Sequence, residues 1–494
     1  MDNLKKEDSI ILNSFFDFFL KERVDIFNKE IERSRYFSDG NCEFEPIFAQ
    51  VDLLFSPICN QKCEYCYLYK YGDELYPHKG SKEELLKNLD LILDYIYNNK
   101  KMFPYTFELF GGDLFIDDIF FDIINIFEKY FKSILKKYPE LFFNDNKNIP
   151  YEQQVTIIVP SNLSFVYNSP EKGNKVTNLL KRLEKEYNVR IAFSWSTDGL
   201  YCTDSREKKE LNQEYFDTIL SFCIKNQVGV HPMVAPENIK NWIKNYDWWL
   251  EFQEELNKKT NHEGDFQPFL LEVRNGYWSD ENIEDYKKLL THIIEVRYEK
   301  VGKDTNKLAY HLFHQGEIDD KNPILLNSHD IASFDFCTPG RGQENIGCSM
   351  PHTFTINLND LTLPICHRLT YQHLVGGYFI LNEEKNKIIG IEAKNPTVYI
   401  TAKTINQLSI PKCALCNLKE VCMKQCFGSQ FEEYGELFLP IENICKLLKS
   451  KYYHLMYLYD KYGVIDCAIQ NNYIDKEYAD YLIKLREEVK NEYK

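Results

Sequence analysis

The feature that most constrains this chain is an alternation, from residue 46 to about residue 275, of short apolar runs with longer amphipathic ones. "PIFAQVDLLFSPIC" reads as a buried strand, and "SKEELLKNLDLILDYIYNNK" after it as a helix with a serine start signal. "YTFELFGGDLFID" is a second strand closing on a Gly-Gly turn, followed by the helical "FFDIINIFEKYFKSILKK". "QQVTIIVPSNL", "VRIAFSWSTDG", "VGVHPMVAP" and "DFQPFLLEVRN" supply strands three to six, with helices "KVTNLLKRLEKEY" and "EYFDTILSFCIKNQ" among them. This rhythm predicts an α/β fold: a parallel sheet with helices outside, closed or partly closed as a barrel. Chemistry in such folds gathers at the C-terminal strand ends. There the sequence places three cysteines after strand one, Gly111 and Gly112 after strand two, Ser161 and Asn162 after strand three, and Asp198 and Gly199 after strand four.

The three cysteines belong to a larger set of fifteen in 494 residues. The N-terminus "MDNLKKEDSIILNSFFDFF" mixes charges into its apolar positions, and no apolar run of about eighteen residues appears, so neither a secretory signal nor a membrane span is supported. The cytoplasm is the expected location, where cysteines serve metals or redox chemistry more than disulfides. Eleven cysteines fall in two groups: Cys59, Cys63 and Cys66, then Cys337, Cys348, Cys366, Cys413, Cys416, Cys422, Cys426 and Cys445. Cys42, Cys202, Cys223 and Cys467 stand alone and read as small buried hydrophobes. A net charge of −16 argues against a nucleic-acid-binding surface. Four regions are expected: a helical extension over 1–45, with one or two amphipathic helices in 9–36; an α/β barrel over 46–330; a cysteine-rich domain over 331–446; and C-terminal helices over 447–494.

Three thiolates are one short of a closed tetrahedral zinc site, whereas a cubane 4Fe-4S cluster held by three leaves one iron open. The stretch "CNQKCEYCYLY", a C-x3-C-x2-C loop after the first barrel strand with Tyr65 before its last cysteine, resembles the radical SAM superfamily. The resemblance implies S-adenosylmethionine bound at the open iron through its amine and carboxylate and cleaved reductively to a 5′-deoxyadenosyl radical. "FGGD" resembles the family's Gly-Gly-Glu turn, which brings the backbone of Gly111 and Gly112 to the methionine amine; Asp113 stands where Glu is commoner. "SWSTDG" resembles the fourth-strand Ser-x-Asp-Gly end, making Ser196 and Asp198 pocket residues and Asp198 the candidate catalytic carboxylate. Asn162 in "PSNL" resembles the third-strand Thr-Asn-Gly end, and Arg206 in "DSRE" is placed to pair with the SAM carboxylate, a surface ion pair being its ordinary alternative.

"CALCNLKEVCMKQC" is C-x2-C-x5-C-x3-C and is followed by Cys445. It resembles the SPASM extension of radical SAM enzymes, which holds two auxiliary 4Fe-4S clusters. Carried over by residue, one auxiliary cluster takes Cys348, Cys366 and Cys426 with Cys337 as the candidate fourth ligand, an open iron that could bind a substrate thiol being the alternative, and the other takes Cys413, Cys416, Cys422 and Cys445. The family's glycine before the second cysteine is absent, and Asn359 and Asp360 are expected to turn that hairpin instead. Taken together, the resemblance implies a partial (β/α)6-type radical SAM barrel with a C-terminal iron-sulfur SPASM domain and three 4Fe-4S clusters.

Enzymes of this kind abstract hydrogen from ribosomal precursor peptides or proteins, giving cross-links, thioethers or oxidations, and draw electrons from a donor such as flavodoxin or ferredoxin. The alternatives are a sulfatase-maturating enzyme that forms formylglycine, a non-enzymatic carrier with several clusters, and a zinc-stapled binding protein. His367, beside Cys366, reads as a polar neighbour rather than a ligand, and His311 with His314 as structural.

Overall fold

A computed structural model describes residues 43–116, 118–143, 154–202, 206, 212–230, 232–260, 270–313, 353–405, 409–422 and 425–492. The helices expected in 9–36, the boundary expected near 330, and Cys42, Cys337 and Cys348 lie outside the described residues.

Strand β1 (Glu45–Leu54) pairs in parallel with β2 (Met102–Phe110), and β3 (Val155–Ser161), β4 (Val189–Trp195) and β5 (Gly229–Val230) follow in order, all parallel. Helices make the crossovers. After β1 come α1 (Tyr67–Leu75) and α2 (Lys82–Asp94), then α3 (Ile119–Lys137) after β2. The short α4 (Ser164–Asn168) and α5 (Pro170–Tyr187) follow β3, and α6 (Gln213–Asn226) follows β4. The serine start signal of α2 is a capping box: the Ser81 hydroxyl accepts from the Glu84 N–H while Glu84 accepts from the Ser81 N–H. The helix-facing side of the sheet is apolar and largely aromatic. Phe107 of β2 meets Phe127 of α3 edge-on at 4.9 Å, and Phe115 stacks on Phe165 at 3.8 Å.

The fifth expected strand is split. Gly229–Val230 stays with β4, while β6 (Met233–Val234) pairs with β7 (Leu271–Glu272), the sixth expected strand, in a separate two-stranded sheet. Pro232 stands at the break and has no N–H to give a ladder. Between β6 and β7 runs α7 (Trp242–Thr260), and beyond β7 run α8 (Asp280–Lys300) and α9 (Thr305–Phe313).

The C-terminal strands extend the same sheet. β8 (Thr353–Asn357) pairs in parallel with the free side of β1, and β9 (Thr362–Leu363), β10 (Gly377–Leu381) and β11 (Ile388–Ala393) follow antiparallel. Among the described residues this gives nine strands in the order β11-β10-β9-β8-β1-β2-β3-β4-β5. The β8–β9 turn contains Asn359 and Asp360, and the Asn359 amide donates to the carbonyl of Phe55 at 3.0 Å, tying the turn to the end of β1. Helices α10 (Pro396–Thr404), α11 (Pro411–Ala414), α12 (Phe427–Tyr434), α13 (Glu442–Lys461), α14 (Val464–Gln470) and α15 (Lys476–Glu492) complete the described chain. None of the described helices is long and apolar enough to cross a membrane.

On the sheet face away from the helices, Asp52 of β1 and Glu108 of β2 are register partners. The Gln50 amide donates to both, at 2.8 and 2.5 Å. Burial pushes Asp52 up to about 6 against the pull of Gln50 and Lys403, while burial and then the Asp52 charge push Glu108 up to about 8. Both folded values exceed the unfolded ones, so the stability these groups contribute is complete below their unfolded range and is lost as pH rises through about 6 and about 8. Glu108→Gln should therefore match wild type at pH 4, below the unfolded glutamate value, and exceed it at pH 9. The expected gain is on the order of 1–2 kcal/mol, allowing for solvent around a half-buried carboxylate. Thermal melts at the two pH values check this; equal wild-type and variant curves at pH 9 would refute it.

Candidate functional site

Beyond β1 the chain enters the three-cysteine loop, and the end of β2 runs beside it. The Phe55 N–H donates to the Phe110 carbonyl at 2.8 Å, the Gly112 N–H to Ser56 and the Asp113 N–H to Ile58, each at 2.9 Å. These bonds carry the ladder past the strands and draw two backbones into contact. A Cβ on Gly112 would lie 1.7 Å from the Ile58 carbonyl oxygen and 2.9 Å from the Cys59 nitrogen, so only glycine fits there. Cys59 is exposed and Cys63 and Cys66 are half-buried. Cys66 caps the start of α1, its N–H bonding the Cys63 carbonyl at 3.0 Å. Burial pushes the Cys63 thiol up to about 12, with Cys66, Asp198 and Cys59 adding to the rise and Arg206 opposing it.

Asp113 straps strand ends together. Its carboxylate accepts from the Phe115 N–H at 3.0 Å, the Ser161 hydroxyl at 3.0 Å and the Asn162 N–H at 3.2 Å. Burial raises it and these donors oppose the rise. Asn162 in turn donates its side-chain amide to Asn60 in the cysteine loop at 2.7 Å, and Asn60 donates to Ser164 at 3.1 Å. The third-strand turn thus grips the loop between Cys59 and Cys63. Ser196 links the neighbouring turns through its N–H to the Ser161 carbonyl at 2.8 Å.

Asp198 is the hub of the other side. It is fully buried, and its carboxylate accepts from the Tyr65 hydroxyl at 2.8 and 2.9 Å, Arg206 Nε at 3.1 Å, the Met233 N–H at 3.0 Å and Asn238 Nδ2 at 3.3 Å. Arg206 Nη2 lies 3.0 Å from the same oxygen, with only 8% of its side chain exposed, so this is a buried pair and not a surface one. The Arg206 guanidinium also lies 5.5 Å from the centre of the Tyr65 ring. The Asp198 carbonyl accepts from Asn245 at 2.6 Å and from the Trp249 indole at 3.1 Å. A carboxylate so enclosed is arranged as a strut that holds Tyr65, and with it the cysteine loop.

Sequence reading passed over Asn60, Asn238, Asn245 and Trp249. A signal for three of them was present: Asn238, Trp242, Asn245 and Trp249 recur at four, three and four residues, one face of a helical turn, and the Trp242 indole donates to Asn238 at 2.8 Å. It also passed over Glu272, which accepts from Arg274 at 2.9 Å with Lys451 of α13 at 3.6 Å, all three largely buried. Burial pushes Glu272 up, and Lys451 and Arg274 outweigh it to hold it at about 2. Next to Arg274, Asn275 donates to the Tyr65 carbonyl at 3.1 Å, a third grip on the cysteine loop.

The second cysteine group gathers around a cavity. Cys413, Cys416, Cys422 and Cys445 line a space of about 260 Å³ together with Ile410 and Phe427. The Gln425 amide donates to Cys445 Sγ at 3.1 Å and to the Ile441 carbonyl at 2.9 Å, fixing the start of α13 against the loop. Cys366 is buried beyond β9, and Cys426 caps the start of α12. Among the described residues no three His, Cys, Asp or Glu side chains converge on a single metal-ion position.

No family model and no curated protein matches the chain. Solved structures do. One described as native anSMEcpe with bound AdoMet and Cp18Cys peptide aligns at 13% identity and a TM-score of 0.45, over 83% of this chain and 99% of that one. SuiB of Streptococcus suis bound to its precursor peptide SuiA aligns at 11% identity and a TM-score of 0.41, over 81% of this chain and 76% of that one.

Proposed function

We propose that this chain is a radical SAM enzyme with a SPASM-type C-terminal region, acting on a ribosomally made peptide or protein substrate. The observation that carries the reading is the cysteine loop itself: three thiols within eight residues at the C-terminal edge of a parallel sheet, with the Gly112 backbone pressed against the loop. A 4Fe-4S cluster held by Cys59, Cys63 and Cys66 would supply one-electron reduction of bound S-adenosylmethionine and so hydrogen-atom abstraction from a substrate carbon.

The chain's own residues hold that loop and shape its surroundings. Cys59, Cys63 and Cys66 are the ligands; Asn162, Asp198 and Asn275 fix the loop through Asn60, the Tyr65 hydroxyl and the Tyr65 carbonyl. Gly111 and Gly112 bring backbone without side chains to the loop, where the methionine amine would be bound, and Ser196, bonded to Ser161, would border that site. Asp198 is a positioning residue, and Arg206 lowers the cost of negative charge at Cys63. Cys413, Cys416, Cys422 and Cys445 hold one auxiliary cluster. These four line one cavity, and the C-x2-C-x5-C-x3-C spacing with a later fourth cysteine is what favours a cluster over zinc there. Cys366 and Cys426, with Cys348 and Cys337, hold the other. The radical SAM unit occupies 46–330, the auxiliary-cluster unit 331–446, and electrons arrive from a flavodoxin or ferredoxin.

Iron and sulfide counted per chain after anaerobic purification test the reading. Wild type should hold about twelve irons and a Cys59→Ala, Cys63→Ala, Cys66→Ala triple variant about eight. Only wild type should release 5′-deoxyadenosine from S-adenosylmethionine under reduction. Zinc in place of iron, or an iron count the triple variant leaves unchanged, would overturn it.

A further inference from the structure

Tyr67 opens α1 directly behind Cys66, half-buried and within electrostatic reach of both Cys66 and Cys366. Two consecutive residues about 300 positions further along the chain close on it. The His367 ring lies 5.9 Å from the Tyr67 ring and stacks on Phe110, the last residue of β2, at 4.1 Å and 14°. The Arg368 guanidinium lies 5.2 Å from the centre of the Tyr67 ring. One packed layer thus joins the first cysteine loop to the loop of Cys366.

Arg368 is fixed by a two-pronged pair with Glu432 of α12, Nε and Nη2 each at 2.5 Å from one carboxylate oxygen, with 15% and 4% of the two side chains exposed. Gly428, in the first turn after Cys426, lies flat against it: a Cβ there would be 2.6 Å from Arg368 Cδ. Arg368, two residues after Cys366, thus lies against the helix turn that follows Cys426, and its charge reaches the Tyr67 phenol and the Cys426 thiol. The ion pair thus sets one cation and one anion beside the segments that carry Cys366 and Cys426.

We propose that Tyr67, His367 and Arg368 form the junction between the SAM-binding cluster and the auxiliary cluster of Cys366 and Cys426, and that the Arg368–Glu432 pair sets the reduction potential of that auxiliary cluster. The proposal rests on reading these cysteines as iron–sulfur ligands. A buried cation beside a cluster favours the state that has gained an electron, and a buried anion favours the state that has lost it. Arg368 and Glu432 act here as positioning residues of opposite sign, and neither is a ligand.

The test is an EPR-monitored redox titration of wild type, Arg368→Gln, Glu432→Gln and the double variant, purified anaerobically with iron counted in each. With iron at the wild-type level, the potential of one auxiliary cluster should fall in Arg368→Gln, rise in Glu432→Gln and return close to wild type in the double variant. The SAM-binding cluster should move less. Should Arg368→Gln lose iron through misfolding, the direction of the Glu432→Gln shift decides alone. Full iron with unmoved potentials, or both single variants moving the same way, would overturn the junction while leaving the iron–sulfur reading intact. Zinc without iron in wild type would remove that reading and the junction with it.

Discussion

Gly112→Ala is expected to give a chain that folds poorly and fails to load the first cysteine loop. The added methyl would lie 1.7 Å from the Ile58 carbonyl oxygen and 2.2 Å from its carbon, both backbone atoms with no flexible side chain to yield. Relief requires the ladder from Phe55 to Asp113 to open, which separates the Gly-Gly turn from the loop that carries Cys59. A cost of at least about 3 kcal/mol follows, at the upper end of overpacking penalties because backbone meets backbone. Gly72→Ala is the matched control. Gly72 lies inside α1 with nothing within 4 Å of its missing Cβ, so alanine should leave stability unchanged or raise it by about 0.4–1 kcal/mol. Urea unfolding and iron content report both variants; a Gly112→Ala protein as stable and as iron-rich as wild type would disprove the close approach.

The second large effect is expected at Asp198. Asp198→Asn keeps the shape but removes the charge that faces Arg206 in a fully buried setting, and breaking a buried pair from one side costs about 3–5 kcal/mol. Adding Arg206→Gln to the same chain should recover part of the loss, because no guanidinium then remains opposite a neutral amide. Equilibrium unfolding of the two single variants and the double closes the cycle. Wild-type stability in Asp198→Asn combined with abolished turnover would return Asp198 to the chemistry and remove it from the scaffold.

Local patterns in the sequence revealed the parts of the fold that depend on local patterns. Strands one to four were legible because Val155, Ile157 and Val159, or Val189, Ile191 and Phe193, alternate with half-buried neighbours, and the start of α2 because Ser81 and Glu84 cap it reciprocally. The fifth strand was not, because its two halves take different partners, one beside β4 and one beside β7. In the site, the cysteine spacings and the Gly-Gly turn were visible as motifs, whereas the reason Gly112 must be glycine appears only when Ile58 is set against it. Asp198 stood out, but its donors Asn238, Asn245 and Trp249 come from 40, 47 and 51 residues away, a pairing no local spacing encodes. Cys445 joins Cys413, Cys416 and Cys422 because Gln425 pins the start of α13 beside their loop.

The parallel pairing of β1 with β8 bears on how the protein is made. Asp52 meets Thr355, 303 residues later in the chain. At about 5–20 residues per second, a ribosome takes roughly 15–60 s to deliver the strand that covers this side of β1. During that interval the nascent sheet carries an open parallel edge on the very strand that leads into Cys59, and long-range parallel pairing is slow and prone to aggregation. Production of the protein should therefore depend on chaperones that shield half-made sheets, and iron can meet the first cysteine loop before the second set of cysteines exists.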